Sequence, residues 1–316
     1  MLDLRDKKLL AELDMNARIP YSELAKKLRI SKQAVSSRVR RLEKKEIIQG
    51  YNAIVDLNRF GKTIYVVYLS LRKISSKDEK KWFSELEKNK DIIAVGKNAG
   101  FWDMTLVLEA SNLNELDVRL RQILKNKAEN IKSKIITSEI ESSYFSMNMI
   151  EKVRHREFST STIQGKIILD EKDKKIMTYL AQNCRLSLLE LSGKVNMSPN
   201  GVKHKIKLLE KKGIIIGYKT KINYEKLGFL HFRVFLHLKS MDIKSYNRVK
   251  QFLKSKGNVE SVSRYFGYAD VDFRCYVKDI FELYNLISKI KDEFLQEIIE
   301  VNSMPVFSWN KIEFVR

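Results

Sequence analysis

The sequence predicts an α+β protein made of two tandem copies of one unit, a three-helix head followed by a βαββαβ sheet domain. Two observations carry this. The stretch SKQAVSSRVRRLEKKEIIQGY at Ser31 to Tyr51 returns as SPNGVKHKIKLLEKKGIIIGY at Ser198 to Tyr218. Placing Leu2 on Leu169 then sets an offset of 167 residues that needs no gap, with about 22 identities over the following 60 positions.

Within the head, Asp3 reads as the N-cap of a first helix, and Leu9, Leu10 and Leu13 form its inner face. A second helix is expected over Ser22 to Leu28. Its counterpart opens on Ser187 and Glu190, a capping box that the first copy lacks because Pro20 takes the serine's place. A third helix follows Ser31, and in the second copy Ser198, with Pro199 at the first helical position where a missing N–H costs nothing. The short link between second and third helices defines a helix-turn-helix. A turn at Gly50-Tyr51 is expected to lead into strand.

The periodicity then changes. Ile64 to Arg72 is β-branched and aromatic, as strands are. Asp78 to Asn89 reads as helix, Ile92 to Gly96 and Asp103 to Ala110 as strands around Gly100, Leu113 to Lys127 as helix and Ile131 to Phe145 as strand. That order is a ferredoxin-like βαββαβ unit with both helices on one face of an antiparallel sheet. The second copy is expected to cover the other face. The expected domains are 1–62, 63–150, 167–229 and 230–316, with a polar connector over 151–166.

Sixty basic against 39 acidic residues give a net charge of +21, which points to a polyanionic partner. The charge clusters on the third helices. Lys32 to Lys45 holds six basic residues and Glu43, and Pro199 to Lys212 holds five lysines, Glu210 and His204. With Val35, Val39 and Leu42 as the buried stripe, Gln33, Ser37 and Arg40 face outward beside Lys32, Ser36 and Arg41. Glutamine suits adenine and arginine is bidentate to guanine, so this face reads double-stranded DNA in the major groove. Arg38 lies nearer the stripe, its stem packing while its head reaches a phosphate. In the second copy the face comprises Asn200, Lys203, His204, Lys205 and Lys207. Lysine point charges there replace arginine forks, so the two heads are expected to prefer different half-sites.

Two distant cysteines, Cys184 and Cys275, fit a reducing compartment without disulfides. The charged N-terminus and the short apolar runs give no signal peptide or membrane span, and a cytoplasmic location is expected. His231 and His237 read as core or surface residues and no metal site is expected, since no cysteine or carboxylate cluster accompanies them. No nucleotide-binding loop or hydrolase motif is visible, and neither a cofactor nor a catalytic residue is expected.

LDLRDKKLLAEL, NARIPYSELAKKLRIS and VSSRVRRLEKKEIIQGY resemble the start of Lrp/AsnC-type (feast/famine) transcriptional regulators, and the second copy resembles it equally well. The sheet units, with a Gly-x-x-Asp turn at Gly100 to Asp103 and Gly267 to Asp270, are similar to that family's RAM-like ligand-responsive domain. The resemblance implies a sequence-specific regulator responsive to a small effector, often an amino acid, held near Gly100, Asp103, Gly267 and Asp270, with the two copies forming an intramolecular pseudo-dimer open to further homo-oligomerisation. The plain alternative for those turns is that the glycine permits a tight connection and the aspartate caps it. The architecture also resembles siroheme decarboxylases, which would need histidine and arginine groups in the sheet cavity. The strands around Gly100 and Gly267 offer Lys97, Arg264 and Arg274 but no histidine. A third reading is an architectural DNA binder of low sequence preference.

Overall fold

The computed structural model describes residues 2–151, 156–160, 162, 165, 167–240 and 242–310. In the first head, α1 (Leu4–Met15), α2 (Tyr21–Leu28) and α3 (Lys32–Lys44) enclose Leu9, Leu10, Leu13, Leu24, Val35, Val39 and Leu42, all buried. Asp3 closes a reciprocal capping box with Asp6, and Ser31 Oγ accepts the Ala34 N–H. Pro20 stands at the start of α2 without a side-chain cap.

Strand β1 (Ile48–Val55) starts before the expected turn. The chain reverses at Glu46, whose φ of 53° lies in the left-handed region, and the second copy places Gly213 there at φ 67°. The turn therefore falls before Ile48, and Gly50 lies within the strand. A glycine adopts that conformation freely, whereas Glu46 carries the Cβ penalty.

The first sheet unit comprises β2 (Thr63–Leu71), α4 (Ser76–Lys88), β3 (Ala94–Asn98), β4 (Met104–Ala110), α5 (Leu113–Ile123) and β5 (Ile131–Phe145). The expected connector contributes a short strand, β6 (Glu157–Ser159), paired with β5. Buried Phe158 explains it: its ring sits where a Cβ on Gly217 would be, and Lys254 reaches Glu157 at 2.7 Å. The second copy follows as α6 (Glu171–Gln182), α7 (Leu188–Val195), α8 (Pro199–Lys211), β7 (Ile215–Ile222), β8 (Leu230–Leu238), α9 (Ile243–Lys254), β9 (Val259–Phe266), β10 (Val271–Val277), α10 (Ile280–Glu293) and β11 (Ile298–Asn310).

The units join twice. In the sheet domains β3 pairs with β11 and β5 with β9. With β2 also on β5, eight described strands close a ring in the order β2-β4-β3-β11-β8-β10-β9-β5. Tyr65, Val67 and Leu69 point outward to Trp82, Leu86, Leu116 and Leu120 on α4 and α5. Phe232, Val234 and Leu236 likewise meet Tyr246, Val249, Leu283 and Leu286 on α9 and α10. Ile64, Val66 and Tyr68 point inward, so β2 is buried on both faces and reads as a continuous apolar run.

The heads join through an antiparallel ribbon of β1 and β7, with Tyr51 opposite Thr220 and Ala53 opposite Tyr218. Each strand also packs on the other copy's first helix. Thr220 Oγ1 donates to the Leu13 carbonyl at 2.8 Å, and Asn52 Nδ2 donates to the Ala181 carbonyl at 2.5 Å. No helix among the described residues is long and apolar enough to cross a membrane.

Candidate nucleic-acid interface and interior cavity

Burial of Val35, Val39 and Leu42 turns the rest of α3 outward: Lys32, Gln33, Ser37, Arg40 and Arg41 are exposed, and Ser36 and Arg38 are half-buried. On α8, with Val202, Ile206 and Leu209 inside, Asn200, Lys203, His204 and Lys207 are exposed and Lys205 is half-buried. Each helix carries one acidic residue, and a tyrosine from the following strand engages it. Tyr51 Oη donates to Glu43 at 2.7 Å and Tyr218 Oη to Glu210 at 2.5 Å. These bonds set each third helix against the shared ribbon.

Three of the expected phosphate or base contacts are engaged inside the head. Arg38 reaches Asp3 at 2.6 Å and Asp6 at 2.7 Å, and Arg41 reaches Asp6 at 2.6 Å. Lys205 repeats the arrangement with Asp170 at 2.6 Å and Asp173 at 2.7 Å. The Arg38 guanidinium therefore ties α3 to the start of α1, which corrects its expected placement on a phosphate. Its hydrogen bonds to Asp3 and Asp6 raise its pKa above the ordinary arginine value. The exposed faces led by Gln33, Ser37 and Arg40, and by Asn200, His204 and Lys207, stay open.

The expected effector turns carry the geometry of tight connections. Gly100 and Gly267 have φ of 105° and 139°, which favours glycine. Asp103 Oδ2 accepts the Leu71 N–H at 2.6 Å, and Asp270 Oδ2 accepts the Leu238 N–H at 2.5 Å. Both carboxylates are thus engaged with backbone as capping groups, which is the plain alternative for these turns. Gly267 itself borders a surface cavity of about 330 Å³ with Leu113, Ile136 and Phe266.

A second cavity, of about 340 Å³, lies between the inner face of the ring and the β1–β7 ribbon. Its walls differ by copy. Ile64, Val66, Ile93 and Val107 come from the first, and at the positions 167 residues later stand His231, Arg233, Glu260 and Arg274. The ribbon adds Lys219 and Lys221, and β5 adds Glu139. Arg233 Nε donates to Asp272 at 2.6 Å, and its amino group to Tyr265 Oη at 3.2 Å. Tyr265 in turn donates to Glu139 at 3.3 Å. Arg274 Nε donates to Ser261 Oγ at 2.8 Å and lies 3.5 Å from Glu260. His231 stacks on Tyr276 at 4.5 Å, and its buried Nε2 finds no hydrogen-bond partner among the described residues.

This histidine corrects the expectation that the sheet cavity holds none. It lies on β8 rather than on the strands next to Gly267. Its signal was present: His231 and Arg233 alternate with Phe232 and Val234, a period-two pattern that puts polar groups on the inner face. Among the described residues no group of three or more histidine, cysteine or acidic side chains is placed to hold a metal ion.

Burial pushes the Glu139 carboxyl up from 4.5 to about 7, and pushes His231 down from 6.5 to about 3. The raised carboxyl stabilises the fold fully below about pH 4.5, and that contribution is lost as pH rises through about 7. Neutral His231 acts with opposite sign, costing stability as pH falls from 6.5 towards 3. Urea unfolding of Glu139→Gln beside the parent should show the parent losing stability relative to the variant from pH 5 to 8. Parallel pH curves for the two proteins rule this out.

The two heads, each a helical trio followed by a strand, define a DNA-binding protein of the winged helix-turn-helix class. A family model described as winged helix-turn-helix DNA-binding matches residues 2–49 and 169–216. An uncharacterised HTH-type transcriptional regulator of Pyrococcus furiosus is 28% identical over 131 residues, covering 41% of this chain and 84% of that protein. The HTH-type transcriptional regulator LrpA of Pyrococcus horikoshii is 40% identical over 62 residues, 20% of this chain and 44% of LrpA. At that higher identity the chain spans less than half of the relative. The crystal structure of the siroheme decarboxylase NirDL matches over 98% of this chain and 93% of its own, with a TM-score of 0.64 and 12% identity. At that identity the likeness concerns the fold and its duplicated architecture. Both halves of the chain thus carry the winged helix-turn-helix match, in tandem, and the chain is similar to HTH-type transcriptional regulators of the Lrp/AsnC kind.

Proposed function

We propose that this protein is an Lrp/AsnC-type transcriptional regulator that binds double-stranded DNA through two unequal heads, and that a small effector modulates the binding. The observation that supports it is the pair of exposed polar faces, Gln33, Ser37 and Arg40 on α3 and Asn200, His204 and Lys207 on α8, carried on helices tied to one ribbon. The first face has a bidentate arginine and a glutamine, which read base edges. The second relies on lysine, asparagine and histidine, and anchors more than it discriminates. The heads meet one side of the duplex about one helical turn, ~34 Å, apart or a multiple of it. Because the faces differ, the preferred site is not a palindrome. Arg38, Arg41 and Lys205 position the reading helices through their ion pairs with α1 and α6.

Sequencing DNA retained from a random pool tests this. The expected result is one asymmetric motif with an information-rich half and a poor half. Retention without enrichment favours the architectural reading, and no retention at low salt defeats both.

One observation favours a second reading: His231, Arg233 and Arg274 do share the cavity, as a siroheme-decarboxylase-like enzyme would require. Its volume, about 340 Å³, sits at the small end of the ~300–1,000 Å³ range of ligand pockets and speaks against a tetrapyrrole. A Soret band on adding siroheme, followed by decarboxylation, would reverse the order of the two.

A further inference from the structure

From the two-faced walls of the interior cavity we infer that it binds a small amphipathic carboxylate, the anionic group against Lys221 and His231 and a compact apolar body against Ile64, Val66, Ile93 and Val107. The inference names the effector class and its site, and so rests on the reading of the protein as an effector-responsive regulator.

The apolar wall is continuous. Ile64, Val66, Ile93 and Val107 are each at most 8% exposed, and they line one side of the space. The opposite wall carries charge of both signs, and the engagement of each group decides which sign of ligand it takes. Asp272 is held by Arg233, Glu260 lies by Arg274, Glu139 accepts from Tyr265, and Glu225, whose pKa burial raises, lies 3.8 Å from His231 Nδ1. Glu139 also binds its proton more tightly than an ordinary carboxyl, because burial disfavours its charge. An ammonium group entering here therefore meets carboxylates already engaged or held partly neutral.

The donors are in the opposite condition. Lys221 Nζ reaches the Trp309 carbonyl at 3.2 Å rather than a carboxylate, and burial lowers its pKa. An anion beside it favours the charged form. His231 is 5% exposed and its Nε2 is unpartnered among the described residues, a condition that costs stability until it is bonded; in the tautomer with the proton on Nε2 it donates to an acceptor placed there. Both line the same cavity, and on this inference the bound carboxylate accepts from both. Because Lys221 lies on β7, the anion would touch the ribbon that joins the reading helices. Binding is thereby coupled to how the heads are held.

Calorimetric titration of the full chain without DNA provides the test, with phenylacetate as probe and phenylacetamide and phenethylamine as neutral and cationic controls of like shape. Phenylacetate should bind and both controls should bind at least tenfold more weakly. Lys221→Met, which keeps the stem and removes the charge, should weaken phenylacetate by about 10- to 100-fold, the loss of one charge-assisted hydrogen bond. Val107→Phe, filling the apolar side, should abolish binding while the circular dichroism spectrum stays that of the parent. Absence of phenylacetate binding, equal binding of the three probes, or unchanged affinity in both variants overturns the inference. The titration contains no DNA, so failure of the heads on DNA leaves this result standing, and failure here leaves the DNA reading standing.

Discussion

Arg40→Gln should reduce discrimination between the selected site and scrambled DNA by about 1–3 kcal/mol, the worth of one bidentate base contact. The side chain is exposed on α3, opposite the buried Val35, Val39 and Leu42. The substitution therefore leaves the head's packing alone. Lys207→Gln should behave differently. It should weaken specific and scrambled DNA alike and reduce the magnitude of the salt slope by about 0.9, as one lost phosphate contact does. Competition binding at several salt concentrations measures both quantities. Equal loss of discrimination from the two substitutions would sink the division of labour between heads, while no loss from either would remove these faces from the interface.

The second large effect concerns Asp272. Its carboxylate accepts from Arg233 Nε at 2.6 Å and from Tyr68 Oη at 3.3 Å, and both charged side chains are nearly fully buried. Asp272→Ala leaves the Arg233 guanidinium inside the ring without its counter-ion and should cost about 3–5 kcal/mol in urea unfolding. Adding Arg233→Met to Asp272→Ala should recover most of that loss, because it removes the stranded charge. A single-variant loss under 1 kcal/mol, or a double variant no more stable than the single one, contradicts this account of the interior.

Much of the head was legible from residues alone because caps act locally. Asp3, Ser31, Ser187 and Ser198 each start a helix where the sequence placed one, and Ile131–Phe145 is a strand end to end. The outward faces of α3 and α8 followed from four- and three-residue spacing. What escaped depends on partners far along the chain. The pairing of β1 with β7 joins residues about 167 positions apart, and nothing in either strand names the other. The interior site was hidden for the same reason. Ile64 and His231 are unremarkable until the ring places their strands around one space. Arg38 was misplaced because helical spacing gives the direction of a side chain but not the acid waiting on α1.

The ribbon of β1 and β7 has a consequence for the cell. When two reading heads come from separate chains, dilution splits them, and DNA occupancy then depends on the square of concentration at low abundance. Here one polypeptide carries both heads, so on the proposed reading, and for a chain that acts alone, occupancy would rise linearly with copy number. On that reading, halving expression would halve DNA occupancy at low abundance rather than quarter it.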